Sequence, residues 1–289
     1  MNIDDSLTLP DGRRLAYAQY GDPAGTPVMY FHGSPSSRLE PALIGGETWH
    51  ALGLRIICPD RPGIGESTFQ AGRRFIDWPA EVVALADHLR LPRFSVLANS
   101  GGAPYAAVCA AMIPQRLARV VIVSGGWRMD LPEARAGMPL PNRIFLGLVR
   151  YTPPLARLML WAMARSAGGD PAKELAKLKG RVPDVDLAAF SAPGRIAAFH
   201  ASMKECVKFG TRGAAADLSL YMRDFGFDPR DVELPIILFH GEKDVNATMP
   251  LAKRMLRELP GAQLVACPDD AHLSTLCNHL EKVAAALKR

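Results

Sequence analysis

The stretch that most constrains the fold is Phe94-Ser95-Val96-Leu97-Ala98-Asn99-Ser100-Gly101-Gly102-Ala103-Pro104-Tyr105. Phe94 to Ala98 is a short apolar run and predicts a buried strand. Ala103 to Met112 is small and apolar and predicts a helix. Only a tight turn separates the two, and Ser100 sits on it. Such a turn lifts the serine hydroxyl above the sheet edge and points the first backbone N–H groups of the helix toward it. Strand and helix must approach closely here, and Ala98, Gly101 and Gly102 supply the small side chains that this requires. Pro104 falls in the first helical turn, where its missing N–H would have no partner in any case.

The same pattern recurs along the chain. Val28-Met29-Tyr30-Phe31, Leu54 to Cys58, Leu117 to Val123, Pro235 to Phe239 and Gln263 to Cys267 are further short apolar runs that read as strands. Residues 6–20 read as a hairpin around Pro10-Asp11-Gly12. Helical spacing follows several of the strands, at 39–52 (interrupted near Gly45-Gly46), 76–89, 251–259 and 273–287. Strands alternating with helices predict an α/β fold with a mostly parallel central sheet and helices on both faces. From Trp127 to Arg230 the alternation stops and the pattern is helical, with a break at Pro153-Pro154. The expected organisation is therefore a core of 1–126 and 231–289 with a helical cap over 127–230, lying over the strand ends where open α/β sheets place ligands.

Charge is uneven. Residues 127–230 carry 16 Lys+Arg and 10 Asp+Glu, an excess of +6, while the whole chain carries +5. No basic run marks a nucleic-acid patch. The basic middle segment is either a solvated helical face or an attractor of anionic substrate. No apolar run reaches the ~18 residues of a membrane span, and no secretory pattern opens the chain, so the expectation is a cytoplasmic protein without membrane contact. The five cysteines are scattered without metal-ligand spacing. No metal or cofactor is expected, and the expected partner is a small-molecule substrate.

A serine hydroxyl becomes a nucleophile when a base lies within ~3 Å and an acid orients that base. Asp244 lies just beyond the strand 235–239, and His272 in the loop after the last strand. Both loops open on the edge that presents Ser100. Asp269 and Asp270 are nearer to His272 along the chain, but a neighbour seldom points back at its own imidazole.

Four blocks now stand in order: H-G-S-P at 32–35, D-R-P-G-I-G-E-S at 60–67, A-N-S-G-G-A-P-Y-A at 98–106 and H-G-E-K-D at 240–244, with His272 after them. In these the chain resembles the α/β-hydrolase superfamily from end to end, with Ala98 replacing the first glycine of the usual G-x-S-x-G. The resemblance implies that Ser100 is the nucleophile, His272 the general base and then acid, and Asp244 its orienter. It also implies an oxyanion hole built from the backbone N–H groups of Gly101 and Ser34. Asp60 and Arg61 are expected to tie down the glycine turn at 62–65, and His32 to fix the oxyanion loop. Gly33, Asn99, Trp127, Phe145 and Trp161 are the candidates to contact substrate. Ester hydrolysis through an acyl-enzyme is the leading expectation. The alternatives are carbon–carbon bond hydrolysis of an anionic keto acid, aminopeptidase-like amide hydrolysis, and a ligand-binding module that keeps the fold without the chemistry.

Overall fold

In the computed structural model, which describes residues 2–135 and 137–288, eight strands form one sheet. They are β1 (Asn2–Thr8), β2 (Arg14–Gly21), β3 (Thr26–Phe31), β4 (Leu54–Pro59), β5 (Phe94–Asn99), β6 (Leu117–Val123), β7 (Ile236–Gly241) and β8 (Gln263–Cys267), in the spatial order β1-β2-β4-β3-β5-β6-β7-β8. β1 and β2 pair antiparallel, as does β2 with β4. From β4 across to β8 every pairing is parallel. The parallel strands are predominantly apolar because both faces are covered. Successive residues enter opposite cores: Met29, Phe31, Val96, Ala98 and Ile122 pack on one face, and Val28, Tyr30, Leu97, Val121 and Val123 on the other. Each Val, Leu, Ile, Phe or Met among them contributes ~1.5–3 kcal/mol through burial.

The helices that cover the sheet are α1 (Gly46–Ala51), α2 (Trp78–His88) and α3 (Ala103–Met112). Between β6 and β7 the chain forms α4 (Leu140–Tyr151), α5 (Pro153–Ser166), α6 (Pro171–Leu178), α7 (Asp184–Phe190), α8 (Arg195–Cys206) and α9 (Arg212–Leu220), with no strand among the described residues. Then follow α10 (Met249–Glu258), α11 (His272–Asn278) and α12 (Leu280–Lys288). One helical stretch is interrupted where expected, and one expected to be single is divided. The stretch 39–52 is a 3-10 turn, Glu40–Leu43, and then α1, with Gly45 at φ +94° between them. The C-terminal stretch breaks at His279, whose backbone leaves the helical region and whose ring, with the Asn278 amide, is bound by Asp270.

The parallel register aligns the carboxyl ends of the strands: Phe31 lies opposite Ala98, Asn99 opposite Val123, and Gly241 opposite Cys267. The loops that begin at His32, Ser100, Ser124, Glu242 and Pro268 therefore emerge along one edge.

Candidate active site

Ser100 sits at φ +50°, a left-handed conformation rarely adopted by a residue with a side chain. The turn is held by close packing below it. A Cβ added at Gly102 would fall 2.1 Å from the Phe31 carbonyl oxygen, so only glycine fits where α3 crosses β3. Ser100 Oγ lies 3.0 Å from His272 Nε2, and His272 Nδ1 lies 2.7 Å from Asp244 Oδ2. An ionised carboxylate only accepts hydrogen bonds, so Nδ1 carries the proton and Nε2 is left to accept from the serine hydroxyl. The other Asp244 oxygen accepts from the backbone N–H groups of Asn246 and Ala247, which fixes the carboxylate. The other two acids near His272 are placed elsewhere: Asp270 binds Asn278 and His279, and Asp269 pairs with Lys243 on the surface.

The backbone that carries the imidazole is anchored from two sides. Ser124, at the end of β6, donates its hydroxyl to the His272 carbonyl. Asp186, on α7, accepts the backbone N–H groups of His272, Leu273 and Ser274 and the Ser274 hydroxyl. It thus caps the N-terminus of α11 across 86 residues of chain. Burial is the largest influence on the His272 ring and pulls its pKa down. The charge and hydrogen bond of Asp244, with Asp186 and Glu40 beyond, outweigh it, so the ring titrates above the usual 6.5.

Ser34 and Gly101 meet beside Ser100: a Cβ added at Gly101 would lie 2.9 Å from Ser34 Oγ. The Gly101 N–H lies in the first turn of the short helix Ser100–Gly102, where no carbonyl stands behind it. The Ser34 N–H has no partner among the described residues, whereas the Gly33 N–H donates to Glu40 Oε2 at 2.8 Å. Two backbone donors without a partner among the described residues thus lie near Ser100. The Ser34 hydroxyl is committed elsewhere, donating to Asp217 and accepting from Arg61. Arg61 departs from its expected role. It donates to the carbonyls of His32 and Gly33 as well as to Ser34 Oγ, each at 2.7 Å, so it ties down the His32–Ser34 loop and not its own glycine turn. Asp60 does face that turn, holding Arg38 and the Glu66 N–H. His32 is buried, keeps its pKa well below the usual value chiefly through that burial, and donates Nδ1–H to the Gly33 carbonyl.

A cavity of about 360 Å³ opens above Ser100. Gly33, Ser34, Asn99, Gly101 and His272 form its floor, and Leu43, Met129, Phe145, Phe190, Phe199, Met203 and Leu218 much of its wall. The inserted helices α4, α5, α7, α8 and α9 all contribute. No Lys or Arg lines it, and Glu40 is the one carboxylate among its lining residues. Two expected contacts are corrected. Trp127 is fully buried in the main core against Phe225 and donates its indole N–H to Glu258. Trp161 lies on the outer surface of α5, half exposed beneath Arg165. Both are aromatic residues of the inserted segment, Trp127 in the loop after β6 and Trp161 on α5, and composition alone does not say which of them faces the cavity.

A model of the alpha/beta hydrolase family matches residues 28–286. The chain belongs to that family. The hydrolase YcgS of Bacillus subtilis (strain 168), itself uncharacterized, is 28% identical over 156 residues, which is 54% of this chain and 51% of that one. The chain spans about half the length of the curated relatives it matches. Among solved structures, a thermophilic esterase from Thermogutta terrifontis is similar with a TM-score of 0.65 at 23% identity, covering 99% of this chain and 96% of that one. The enol-lactonase from Burkholderia xenovorans LB400 is similar with a TM-score of 0.65 at 17% identity, covering 98% and 99%. These identities speak for the alpha/beta hydrolase fold.

Three carboxylates that shape this hydrolase-fold site were not legible beforehand: Glu40, Asp186 and Asp217. Glu40 is buried and accepts from Tyr30 OH, the Gly33 N–H and the Asn99 side chain. Its place five residues beyond the H-G-S-P block was the only available signal.

Proposed function

We propose that the protein is a serine hydrolase that cleaves carboxylic esters of small, uncharged, largely apolar acyl groups through an acyl-enzyme. The observation that carries this reading is the continuous relay from Ser100 Oγ through His272 to Asp244 at the floor of an apolar cavity. Ser100 attacks the ester carbonyl while His272 Nε2 takes its proton. The oxyanion is met by the N–H groups of Gly101 and Ser34, each worth ~10²–10³ in rate in comparable sites. His272 then returns the proton to the leaving alcohol, and water repeats the sequence to release the acid. The esterase and enol-lactonase names of the two similar structures point the same way.

The wall chemistry favours this over the alternatives. An anionic keto acid needs a cationic partner, yet Arg143 is exposed and Arg150 lines a different groove. An ammonium substrate needs a free carboxylate, and the Glu40 oxygens are already taken by three donors. The test is a series of chromogenic acyl esters of increasing chain length, together with labelling by a phosphonate ester. Turnover of short to medium acyl chains and a mass increment on the peptide that contains Ser100 are expected. Absence of both would leave the binding-module alternative in place.

Two further outcomes are expected. Asp244→Asn strands the imidazole in the wrong tautomer and should lower kcat by ~10⁴; a mild loss would mean that another acid orients the ring. Because the free base is the neutral imidazole, kcat/KM should rise with pH through a limb above ~6.5. Glu40 is one of the carboxylates that raise the His272 pKa, so Glu40→Gln should move that limb to lower pH. A limb left in place would show that the Glu40 field does not reach the ring.

A further inference from the structure

Eight of the twelve large hydrophobic side chains that stand exposed among the described residues lie on two consecutive helices, α4 and α5. α5 buries only Ala156, Leu160 and Ala164, a single row at intervals of four residues. Its opposite side presents Leu155, Leu158 and Trp161 to solvent, and α4, packed against it, exposes Ile144 and Tyr151. A patch of this kind is costly in water and marks a contact surface. Its charge says which kind. α4 and α5 contain Arg143, Arg150, Arg157 and Arg165, and neither Asp nor Glu. Where the two helices join, a groove of about 400 Å³ is lined by Arg150, Arg157, Arg212 and Arg223 without a carboxylate.

A second copy of the chain fits poorly. A two-fold contact places each patch on its twin, and arginines would face arginines with no acid on either helix to pair them. An anionic phospholipid surface supplies both missing partners: phosphates for the guanidinium groups, and the acyl boundary for leucine, tryptophan and tyrosine.

We propose that α4 and α5 dock flat on an anionic phospholipid bilayer, with lipid phosphates held in the four-arginine groove. No helix among the described residues is long and apolar enough to cross a membrane, but a helix pair lying in the interface needs no such length. Phe145 and Leu146 of α4 and Met163 of α5 also line the cavity above Ser100, so the docked face adjoins the cavity. The docking stands independently of the hydrolytic reading.

Trp161 provides the probe. It is the one exposed tryptophan of four; Trp49, Trp78 and Trp127 are buried. The full chain is titrated with phosphatidylglycerol vesicles and, separately, phosphatidylcholine vesicles. With phosphatidylglycerol, co-sedimentation, a blue shift of the emission and protection from acrylamide are expected, all weakened by added salt. Phosphatidylcholine should give little of any of these. Arg157→Gln should weaken the phosphatidylglycerol partition about fivefold. Leu158→Asp should abolish the blue shift at an unchanged melting temperature. The proposal is overturned if phosphatidylglycerol vesicles leave Trp161 unchanged, if both lipids bind equally, or if Trp161 is already shielded in a lipid-free dimer.

Discussion

Replacing Ser100 by alanine is expected to remove ~10⁴–10⁶ of kcat on any ester the protein hydrolyses. The change deletes one oxygen, whose recorded hydrogen bond is to His272 Nε2. The rest of the site should survive. The φ of +50° costs alanine about what it costs serine, and the turn is held by Gly102 against β3, which the change does not touch. The melting temperature should therefore move by no more than ~2 °C. Residual turnover would come from the two N–H donors and the orientation they impose, which alone can exceed the uncatalysed rate by ~10³. Initial rates of matched wild-type and variant preparations, with phosphonate labelling as a count of active sites, give the answer. A variant that retains activity within about tenfold would remove Ser100 from the chemistry, whatever its distance from the imidazole.

The ends of the relay were legible because each lies at a place that local sequence defines. A short apolar strand ends, a loop follows, and a Ser, Asp or His stands within a few residues of the strand end. Parallel register then brings those ends to one edge without further instruction. Asp186 and Asp217 offered no such cue. Asp186 acts on partners 86 to 88 residues away in the chain, and Asp217 acts on Ser34, 183 residues away. Each also sits in a helix, α7 or α9, that periodicity did not single out. Trp127 and Trp161 show the same limit from the other direction. Both were visible as large aromatics, but whether such a residue faces core, cavity or solvent depends on how the inserted helices pack. Arg61 was recognised as a fastener, and its target was misjudged because the loop it holds, His32–Ser34, lies 27 to 29 residues earlier.

Asp217→Asn is expected to destabilise the protein by ~3–5 kcal/mol and to lower the melting temperature on the order of 10 °C. The Asp217 carboxylate is fully buried on α9 and accepts from Ser34 Oγ, from Nε and Nη2 of Arg61, from Tyr105 OH and from Arg73. Burial is the largest influence on it and would raise its pKa, but Arg61 and Arg73 outweigh that and hold it well below the usual carboxylate range. A folded pKa depressed in this way adds stability at all pH values above the unfolded carboxylate pKa near ~4, and that stability fades as pH falls below it. Asparagine keeps the volume and loses the charge, which leaves two guanidinium groups buried without a counterion. The damage should also reach the chemistry. Arg61 and Ser34 are positioned together by this carboxylate, so the Ser34 N–H loses its fixed aim and kcat should fall by up to ~10²–10³ even well below the melting temperature. A thermal melt at neutral pH tests the first part, and ester hydrolysis at low temperature the second. If the variant melts within ~2 °C of the wild type, the two arginines have found other partners, and the inserted helices are not held to the hydrolase core through this residue.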